Sequence, residues 1–232
     1  MSESIIKADN HEEDIQLVFG RLSHLPKKGV IHLGAHKGEE VVYYNQFGYK
    51  NIILIEANPD LFREVETRFA AQPDIHVFNY AVCDTNGTID FHIHESRSGL
   101  ESSSILKMDK FNSIVTTLKT SKTLTVPAVT IDRLVEEKNI ALEQYNILVS
   151  DIQGADYLAL KGAEKSIRHF EAVVVEVQCV ELYENFISEA TMDALMQSYG
   201  FRKDFVIYHE LYQGDHRFPA WGEAIYLNTQ RH

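Results

Sequence analysis

The chain has little cysteine and no long apolar run. Among its 232 residues only Cys83 and Cys179 are cysteines, too few for a disulfide framework, so we expect free thiols in a reducing compartment. No apolar segment approaches the roughly 18 residues that a spanning helix requires, and the polar, acidic residues at the start do not form a secretory signal. These absences predict a cytoplasmic protein without a membrane span.

Positive charge is also scarce. Lys and Arg number 22 against 34 Asp and Glu, which gives a formal net charge of -12 at pH 7. A non-specific binder of nucleic acid or of anionic membranes needs a basic surface, so we expect no nucleic-acid partner. The G-x-S-x-G elbow, the P-loop and the Cys-x-x-Cys motif are absent as well, which argues against hydrolase, NTPase and redox functions.

What the sequence does contain is an alternation of apolar runs with helix-like segments, over the length of one domain. Apolar runs separated by amphipathic stretches predict strands joined by crossover helices, and hence a mostly parallel sheet in a doubly wound α/β fold. The strand candidates are residues 30–33, 52–55, 75–82, 88–94, 147–150 and 172–177. The helix candidates among them are residues 39–47, 58–69 and 155–168.

The two ends of the chain add to this pattern. An amphipathic stripe predicts a helix near the N-terminus, formed by Ile15, Val18, Phe19 and Leu22. We therefore divide the chain into an N-terminal helical cap at residues 1–28 and a main domain at 29–232. Residues 202–209 and 224–228 are strand candidates joined by the polar loop 213–222, which favours an antiparallel hairpin at the sheet edge. The apolar edge at 224–227 could pair with a second copy in a homodimer.

The first strand candidate runs into a glycine turn, and the second ends in an acid. Gly34 and Gly38 let the backbone turn tightly and approach a ligand closely, and Glu56 follows about 20 residues later. In open α/β sheets a carboxylate at this place accepts hydrogen bonds from both ribose hydroxyls of an adenosine-containing ligand. The combination predicts an adenosine site, with packing glycines as the alternative interpretation.

The residues of the glycine turn discriminate between two such ligands. A dinucleotide fingerprint would need glycine at the positions of His36 and Glu39. Glu39 and Glu40 would also repel a pyrophosphate at the helix N-terminus. S-adenosylmethionine has no phosphate and carries a cationic sulfonium, so these carboxylates favour it over NAD.

Three blocks of sequence carry a family resemblance: IHLGAHKGEE at 31–40, LIEANPDLF at 54–62 and ILVSDIQGADYLALKGAE at 147–164. With weaker matches in the same order from Val30 onward, the chain resembles the FkbM family of class I S-adenosylmethionine-dependent methyltransferases. The resemblance implies a Rossmann-like class I methyltransferase fold, with a seven-stranded mixed sheet, helices on both faces and an antiparallel C-terminal hairpin. It also implies, mostly, O-methylation of hydroxyls on sugars or natural products.

By this resemblance, the glycine turn would wrap the methionine part of the donor, Glu56 would hold its ribose, and Asp151 would lie near the transferred methyl group. The implied cofactor-binding positions are Gly34, Ala35, His36, Gly38, Glu56, Ala57, Asn58, Ala81, Val82, Asp84 and Asp151. Many relatives have an acid where this chain has His32 and an Asn where it has His36. Glu40 or Asp151 could therefore replace the missing acid in holding the donor's ammonium group.

Methyl transfer to a hydroxyl needs a group that removes its proton. Asp151 is the first candidate, with a donor ligand or a helix cap as the alternative role, and Glu176 at the end of the fifth strand is the second. Candidate acceptor contacts are Ser103, Ser104, Gln153, Gln178, His209 and Trp221. The competing interpretations are a solvated strand edge for Glu176 and Gln178, packing for Trp221 and a simple linker for the serine-containing loop.

His92 and His94 share one face of the strand candidate 88–94. Two histidines could ligate a divalent metal, but no third ligand at a readable spacing completes a site. We therefore predict a solvated strand face there and no metal.

The sequence thus predicts an S-adenosylmethionine-dependent methyltransferase that acts on a hydroxyl of a saccharide or small metabolite. Two alternatives stay open. One is a non-catalytic S-adenosylmethionine- or nucleotide-binding module, for which His32 and His36 are the only hints. The other is an NAD-binding oxidoreductase, which the absence of the dinucleotide glycines disfavours.

Overall fold

The computed structural model describes residues 4–7, 11–96, 103–107, 118–181, 183–213 and 216–231. In these residues the strands are β1 Ser4–Lys7, β2 Gly29–Leu33, β3 Asn51–Ile55, β4 Ile75–Phe78, β5 Ala81–Val82, β6 Gly87–Ser96, β7 Leu118–Val129, β8 Ile147–Ser150, β9 Ala172–Gln178, β10 Phe201–Gln213 and β11 His216–Asn228. The α-helices are α1 His11–Arg21, α2 Val41–Gln46, α3 Pro59–Phe69, α4 Ile131–Glu137, α5 Asp156–Lys161 and α6 Glu189–Ser198.

The main sheet has the order β1-β10-β11-β9-β8-β2-β3-β4. Strands β4, β3, β2, β8 and β9 are parallel neighbours, whereas β11 is antiparallel to both β9 and β10. The predicted seven-stranded mixed sheet with a C-terminal antiparallel hairpin is therefore confirmed. Strand β1 adds an eighth, unpredicted member that pairs in parallel with β10. The strand order reverses between β2 and β8, and ligands of such sheets bind outside the carboxyl ends of the strands at this switch point.

Both faces of the parallel strands are buried, which explains why these strands read as continuous apolar runs. On one face Ile31 and Ile53 pack in a cluster with the buried sides of α4, α5 and α6. On the other face Val30 and Ile52 pack with α1, α2 and α3. The predicted N-terminal stripe is part of the second cluster, where Ile15, Val18, Phe19 and Leu22 are all buried. The division into a cap and a main domain stays a prediction.

The segment 75–82 is two strands, not the single strand we expected. Strand β4 belongs to the main sheet, and β5 pairs in parallel with β7 in a second sheet of order β5-β7-β6. Asn79 lies at the break, where its side-chain amide donates to the carbonyl oxygens of Glu56 at 2.8 Å and Ala57 at 3.1 Å. This contact with the end of β3 turns the chain out of the main sheet.

The helices are shorter than their patterns suggested. The predicted helix 39–47 forms only over Val41–Gln46, and the predicted helix 155–168 is α5 followed by turns and a short 3₁₀ segment, Ile167–His169. No described helix is both long and apolar enough to cross a membrane.

The C-terminal hairpin corrects two expectations. Its strands extend to Gln213 and from His216, so most of the predicted loop 213–222 is strand, and Trp221 pairs with His209 in the ladder. Polar residues suggested a loop, yet strands of this length can carry polar side chains on an open face. Strand β11 lies between β9 and β10 and is not an edge. Both sides of the segment 224–227 are hydrogen-bonded to neighbouring strands, so this segment cannot pair with a strand of a second copy.

The predicted solvated face of β6 is also wrong. His92 is 7% exposed and His94 is fully buried, and the imidazole Nδ1 of His92 is 3.0 Å from the hydroxyl of Thr123 on β7. Burial lowers the pKa of His94 to about 4. The sequence pattern could not reveal that the chain returns across β6, where Ser104 forms a backbone bridge with His92.

Because the centre of the main sheet is buried, shortening a side chain there should destabilise the protein. Replacing Ile53, which is 1% exposed, by Ala should lower the free energy of unfolding by about 2–5 kcal/mol, because it leaves a cavity between β3 and its neighbours. The matched control is Val42→Ala on α2, where the side chain is 49% exposed and the change should stay within about 0.5 kcal/mol. Urea unfolding measures both; equal effects would contradict this packing.

Candidate functional site

A cavity of about 380 Å³ opens at the carboxyl ends of β2, β3 and β8, where the strand order reverses. Its volume is in the range of small-molecule sites, about 300–1,000 Å³. It is lined on one side by the turn after β2 and on the other by the turn after β8. Predicted site residues among its lining are Gly34, His36, Glu56, Ala57, Ala81, Val82, Ser103, Asp151 and Gln153.

Gly34 lets the turns after β2 and β8 approach each other. Its φ is 84°, and a Cβ built there would lie 1.9 Å from the carbonyl oxygen of Asp151. The backbone amide of Asp151 in turn donates to the carbonyl of Leu33 at 3.0 Å. Any side chain at position 34 would force these two turns apart and disturb the cavity between them.

The carboxylate of Glu56 organises the other side of the glycine turn. The backbone amide of His36 donates to its Oε2 at 2.8 Å, and that of Asn58 donates to its Oε1 at 2.8 Å. Burial raises the pKa of Glu56 to about 7, although these amides favour the charged form. A carboxylate can accept about four hydrogen bonds, so both oxygens retain capacity for a ligand.

The neighbouring predicted positions have structural partners. Ala35 is fully buried, and the Asn58 side chain caps α3 by accepting from the amide of Asp60 at 3.0 Å. Gly38 has a φ of 70°, and a Cβ there would lie 2.7 Å from the ring of Phe69. These three residues support the glycine turn from behind and are absent from the cavity lining.

The far wall of the cavity is apolar and comes from the second sheet and helix α3. Ala81 and Val82 of β5 line it together with Leu61, Tyr80 and Phe91. Asp84, one of the implied cofactor-binding positions, lies outside the lining, where its carboxylate contacts the ammonium group of Lys161 at 3.0 Å.

The turn after β8 brings two carboxylates together. The side-chain amide of Gln153 donates to Asp151 at 2.8 Å and lies 3.5 Å from Glu176 Oε2. Tyr183 donates its hydroxyl proton to the amide oxygen of Gln153 at 3.1 Å. Burial raises the pKa of Glu176 well above its usual range, and the negative charges of Asp151, Asp156 and Glu223 add to the shift. Asp151 lines the cavity, and Glu176 lies just beyond Gln153.

Sequence reasoning missed Asp156, which holds this turn in place. Its buried carboxylate accepts from the hydroxyl of Ser150 at 2.6 Å and from the amide of Gly154 at 3.2 Å. Burial raises the pKa of Asp156 to about 7. The only signal was an acid in the first turn of a predicted helix, a common feature with no special meaning.

Of the predicted acceptor contacts, Ser103 and Gln153 line the cavity and the others do not. Ser104 is buried, and its hydroxyl donates to the carbonyl oxygen of Gln153 at 2.9 Å. Gln178 is buried and pairs with Trp221 across β9 and β11. The ring of Trp221 stacks on that of His209 with 5.5 Å between centroids.

His32, at the position where the resemblance implies an acid, takes part in a buried hydrogen bond. Its Nδ1 lies 3.0 Å from the hydroxyl of Tyr44 on α2. Burial raises the pKa of Tyr44 well above its usual range, and the charges of Glu40, Glu223 and Asp151 contribute. Tyr44 therefore stays neutral beside a group of carboxylates, two of which, Glu40 and Asp151, line the cavity. In the described part of the chain, no three His, Cys, Asp or Glu side chains are grouped to hold a metal ion.

Comparison with known proteins agrees with this geometry. The family model of the methyltransferase FkbM domain matches residues 32–203. The chain belongs to the FkbM methyltransferase family. No curated protein has a significantly similar sequence.

Two solved structures share the fold of this FkbM methyltransferase. An S-adenosylmethionine-dependent methyltransferase from Listeria monocytogenes has a TM-score of 0.52 at 11% identity, over 94% of this chain and 99% of that one. A Pyrococcus horikoshii protein assigned as an RNA methyltransferase has a TM-score of 0.51 at 13% identity, over 93% and 81%. Family and fold together identify a class I enzyme whose cofactor is S-adenosylmethionine.

The residues around the cavity fit this cofactor. Glu56 offers a buried carboxylate for a ribose diol, and apolar side chains on β5 and β6 offer a surface for an adenine ring. Glu39, Glu40 and Asp151 give a negative lining that suits a cationic sulfonium and ammonium group. The assignment of individual residues to the cofactor stays a prediction.

If Glu56 holds the ribose of the donor, as predicted, its raised pKa should make donor binding dependent on pH. An ionised carboxylate can accept hydrogen bonds from both ribose hydroxyls, whereas the protonated form loses acceptor capacity. Because the pKa is about 7, the affinity for S-adenosylhomocysteine should be constant above pH 8 and should weaken as the pH falls through 7, by up to roughly tenfold per unit.

Calorimetric titration between pH 5.5 and 8.5 measures this effect. The control is Glu56→Gln, which has no titratable group at this position and whose weaker binding should lack the pH step. An equal step in both proteins would show that another group is responsible.

Proposed function

We propose that this FkbM methyltransferase transfers the methyl group of S-adenosylmethionine to a hydroxyl oxygen of a saccharide or other small metabolite. The observation that carries the proposal is the carboxylate pair of Asp151 and Glu176. Gln153 holds this pair at the carboxyl ends of β8 and β9, beside the cavity. An oxygen acceptor must lose a proton during transfer, and a carboxylate at this place can receive it.

The donor is expected to lie along the carboxyl edge of the sheet. The turn from Gly34 to Gly38 surrounds its methionine part, Glu56 holds the ribose, and Ala81 and Val82 border the adenine. When bound, it supplies a methyl group that is activated by the positive charge on sulfur. This orientation directs the sulfur toward Asp151, the cavity-lining member of the carboxylate pair.

The chain's own groups then align the acceptor and remove its proton. The hydroxyl oxygen forms the new bond to the methyl carbon as the bond from carbon to sulfur breaks, which releases S-adenosylhomocysteine. The hydroxyl proton passes to Glu176 or to Asp151. Burial beside Asp151, Asp156 and Glu223 raises the pKa of Glu176, and a carboxylate with a higher pKa binds a proton more strongly, which favours its role as the proton acceptor.

Charge narrows the class of acceptor. Glu40, Asp151 and Glu223 all contribute to the negative field at Tyr44, and Glu223 pairs directly with Glu176 across β9 and β11. Phosphorylated sugars and nucleic acids would be repelled by this group, whereas a neutral polyol would not. Trp221 pairs with Gln178, two residues along the same ladder from Glu223 and Glu176. Its ring offers a surface for the apolar face of a sugar.

We also propose a cytoplasmic location. Cys83 and Cys179 are both free thiols, which suits a reducing compartment.

Substituting each of the two carboxylates distinguishes a general base from a residue that binds the methyl donor. If Glu176 is the base, Glu176→Gln should lower turnover about 10²- to 10⁴-fold and leave the affinity for S-adenosylhomocysteine nearly unchanged. Asp151→Asn should do the same if Asp151 is the base, but should mainly weaken donor binding if it holds the donor's ammonium group. The measurement is transfer of radiolabelled methyl to a panel of saccharide and metabolite hydroxyls, with the exposed Glu64→Gln as control.

Two outcomes would contradict the proposal. If neither carboxylate variant changes turnover, the base lies elsewhere. If the wild-type protein binds the donor but methylates none of the neutral hydroxyl acceptors and instead methylates an anionic one, the class of acceptor is wrong.

A further inference from the structure

A strap formed by residues 103–107 crosses the cavity described above. Ser103 and Ile105 line the cavity, and Ile105 packs against the apolar cluster of Ala81, Phe91 and Val126 on the second sheet. The strap is attached to that sheet by a pair of backbone hydrogen bonds between Ser104 and His92, of 2.8 and 3.1 Å. One side of the strap is therefore fixed to the second sheet, which forms part of the apolar wall of the cavity.

The other side of the strap is attached to the main sheet. The backbone amide of Glu184, which follows β9, donates to the carbonyl of Lys107 at 2.9 Å. The hydroxyl of Ser104 donates to the carbonyl of Gln153 at 2.9 Å and accepts from the amide of Leu106 at 3.1 Å. Ser104 is 1% exposed, and these bonds engage its hydroxyl within the protein.

Gln153, whose carbonyl accepts the bond from the Ser104 hydroxyl, lies in a tight turn with an unusual backbone conformation. Its φ is 56°, an unusual value for a residue other than glycine, and Gly154 continues the left-handed turn with a φ of 89°. Its side chain is held between Tyr183 and Asp151. A bond to the carbonyl of Gln153 therefore joins the strap to the turn that carries the predicted base.

We propose that Ser104 is a positioning residue which latches the strap over the bound donor and so slows its release. The latch joins the two walls of the cavity, the second sheet through His92 and the β8 turn through Gln153. The hydroxyl bond to Gln153 acts together with the bond between Glu184 and Lys107, so losing the hydroxyl bond speeds the release of a donor beneath the strap. This inference rests on the proposed placement of the donor in the cavity.

Dissociation of radiolabelled S-adenosylmethionine, chased with excess S-adenosylhomocysteine, tests the latch. Ser104→Ala should raise the dissociation rate about 3- to 10-fold, the effect of losing one hydrogen bond, and leave the association rate nearly unchanged. Tyr183→Phe keeps the aromatic ring but loses the bond to Gln153, so it should raise the dissociation rate by a smaller factor. The control is Thr125→Ala, which removes an exposed hydroxyl, 3.3 Å from Asp90, on the same sheet.

Glu56→Ala separates failure of this inference from failure of the donor site. If Glu56→Ala abolishes donor binding while Ser104→Ala and Tyr183→Phe release donor at the wild-type rate, the latch is wrong and the site stands. If Glu56→Ala leaves donor affinity unchanged, the donor lies elsewhere and both proposals fall. If Thr125→Ala changes the association and dissociation rates of the donor as much as Ser104→Ala does, the cause is general damage to the sheet. That result would also overturn the latch.

Discussion

The carboxylate of Glu56 accepts one backbone amide from the glycine turn after β2 and one from the start of α3. Burying a carboxylate is costly, and its raised pKa reflects that cost, so these amides are what make the position tolerable. The same contacts fix the turn from Gly34 to Gly38 against the end of β3. Next to them, the carbonyl of Glu56 receives the Asn79 amide that turns the chain into the second sheet. Contacts of Glu56 thus fix three segments beside the cavity: the glycine turn, the start of α3 and the exit of the chain to the second sheet.

Negative charge is concentrated at the carboxyl edge of the sheet. Burial raises the pKa values of Asp156 and Glu176, and the negative charge of Asp151 adds to both shifts. The charges of Asp156 and Glu223 raise the pKa of Glu176 further. Such a group is unfavourable by itself, yet it suits a cofactor that arrives with a cationic sulfonium and an ammonium group. Polar side chains orient the carboxylates: the buried Ser150 holds Asp156, and the half-buried Gln153 spans Asp151 and Glu176.

Local patterns predicted the part of the fold that depends on neighbouring residues. The apolar runs of β2, β3, β8 and β9, the glycine turn and the acid after β3 each have a short-range signature. Features that depend on contacts between residues far apart in the sequence could not be predicted from local patterns. The break at Asn79 follows from a bond to β3, and the burial of His92 follows from a return of the chain at Ser104. The positive φ of Gln153 occurs at a residue type that gives no warning of it.

The central claim is that the donor lies along the edge formed by β2, β3 and β8. A crystal structure of the complex with S-adenosylhomocysteine tests it most directly. We predict both ribose hydroxyls within hydrogen-bond distance of Glu56, the adenine beside Ala81 and Val82, and the sulfur directed toward Asp151. A ligand whose ribose does not contact Glu56, or which occupies another part of the molecule, would contradict the account.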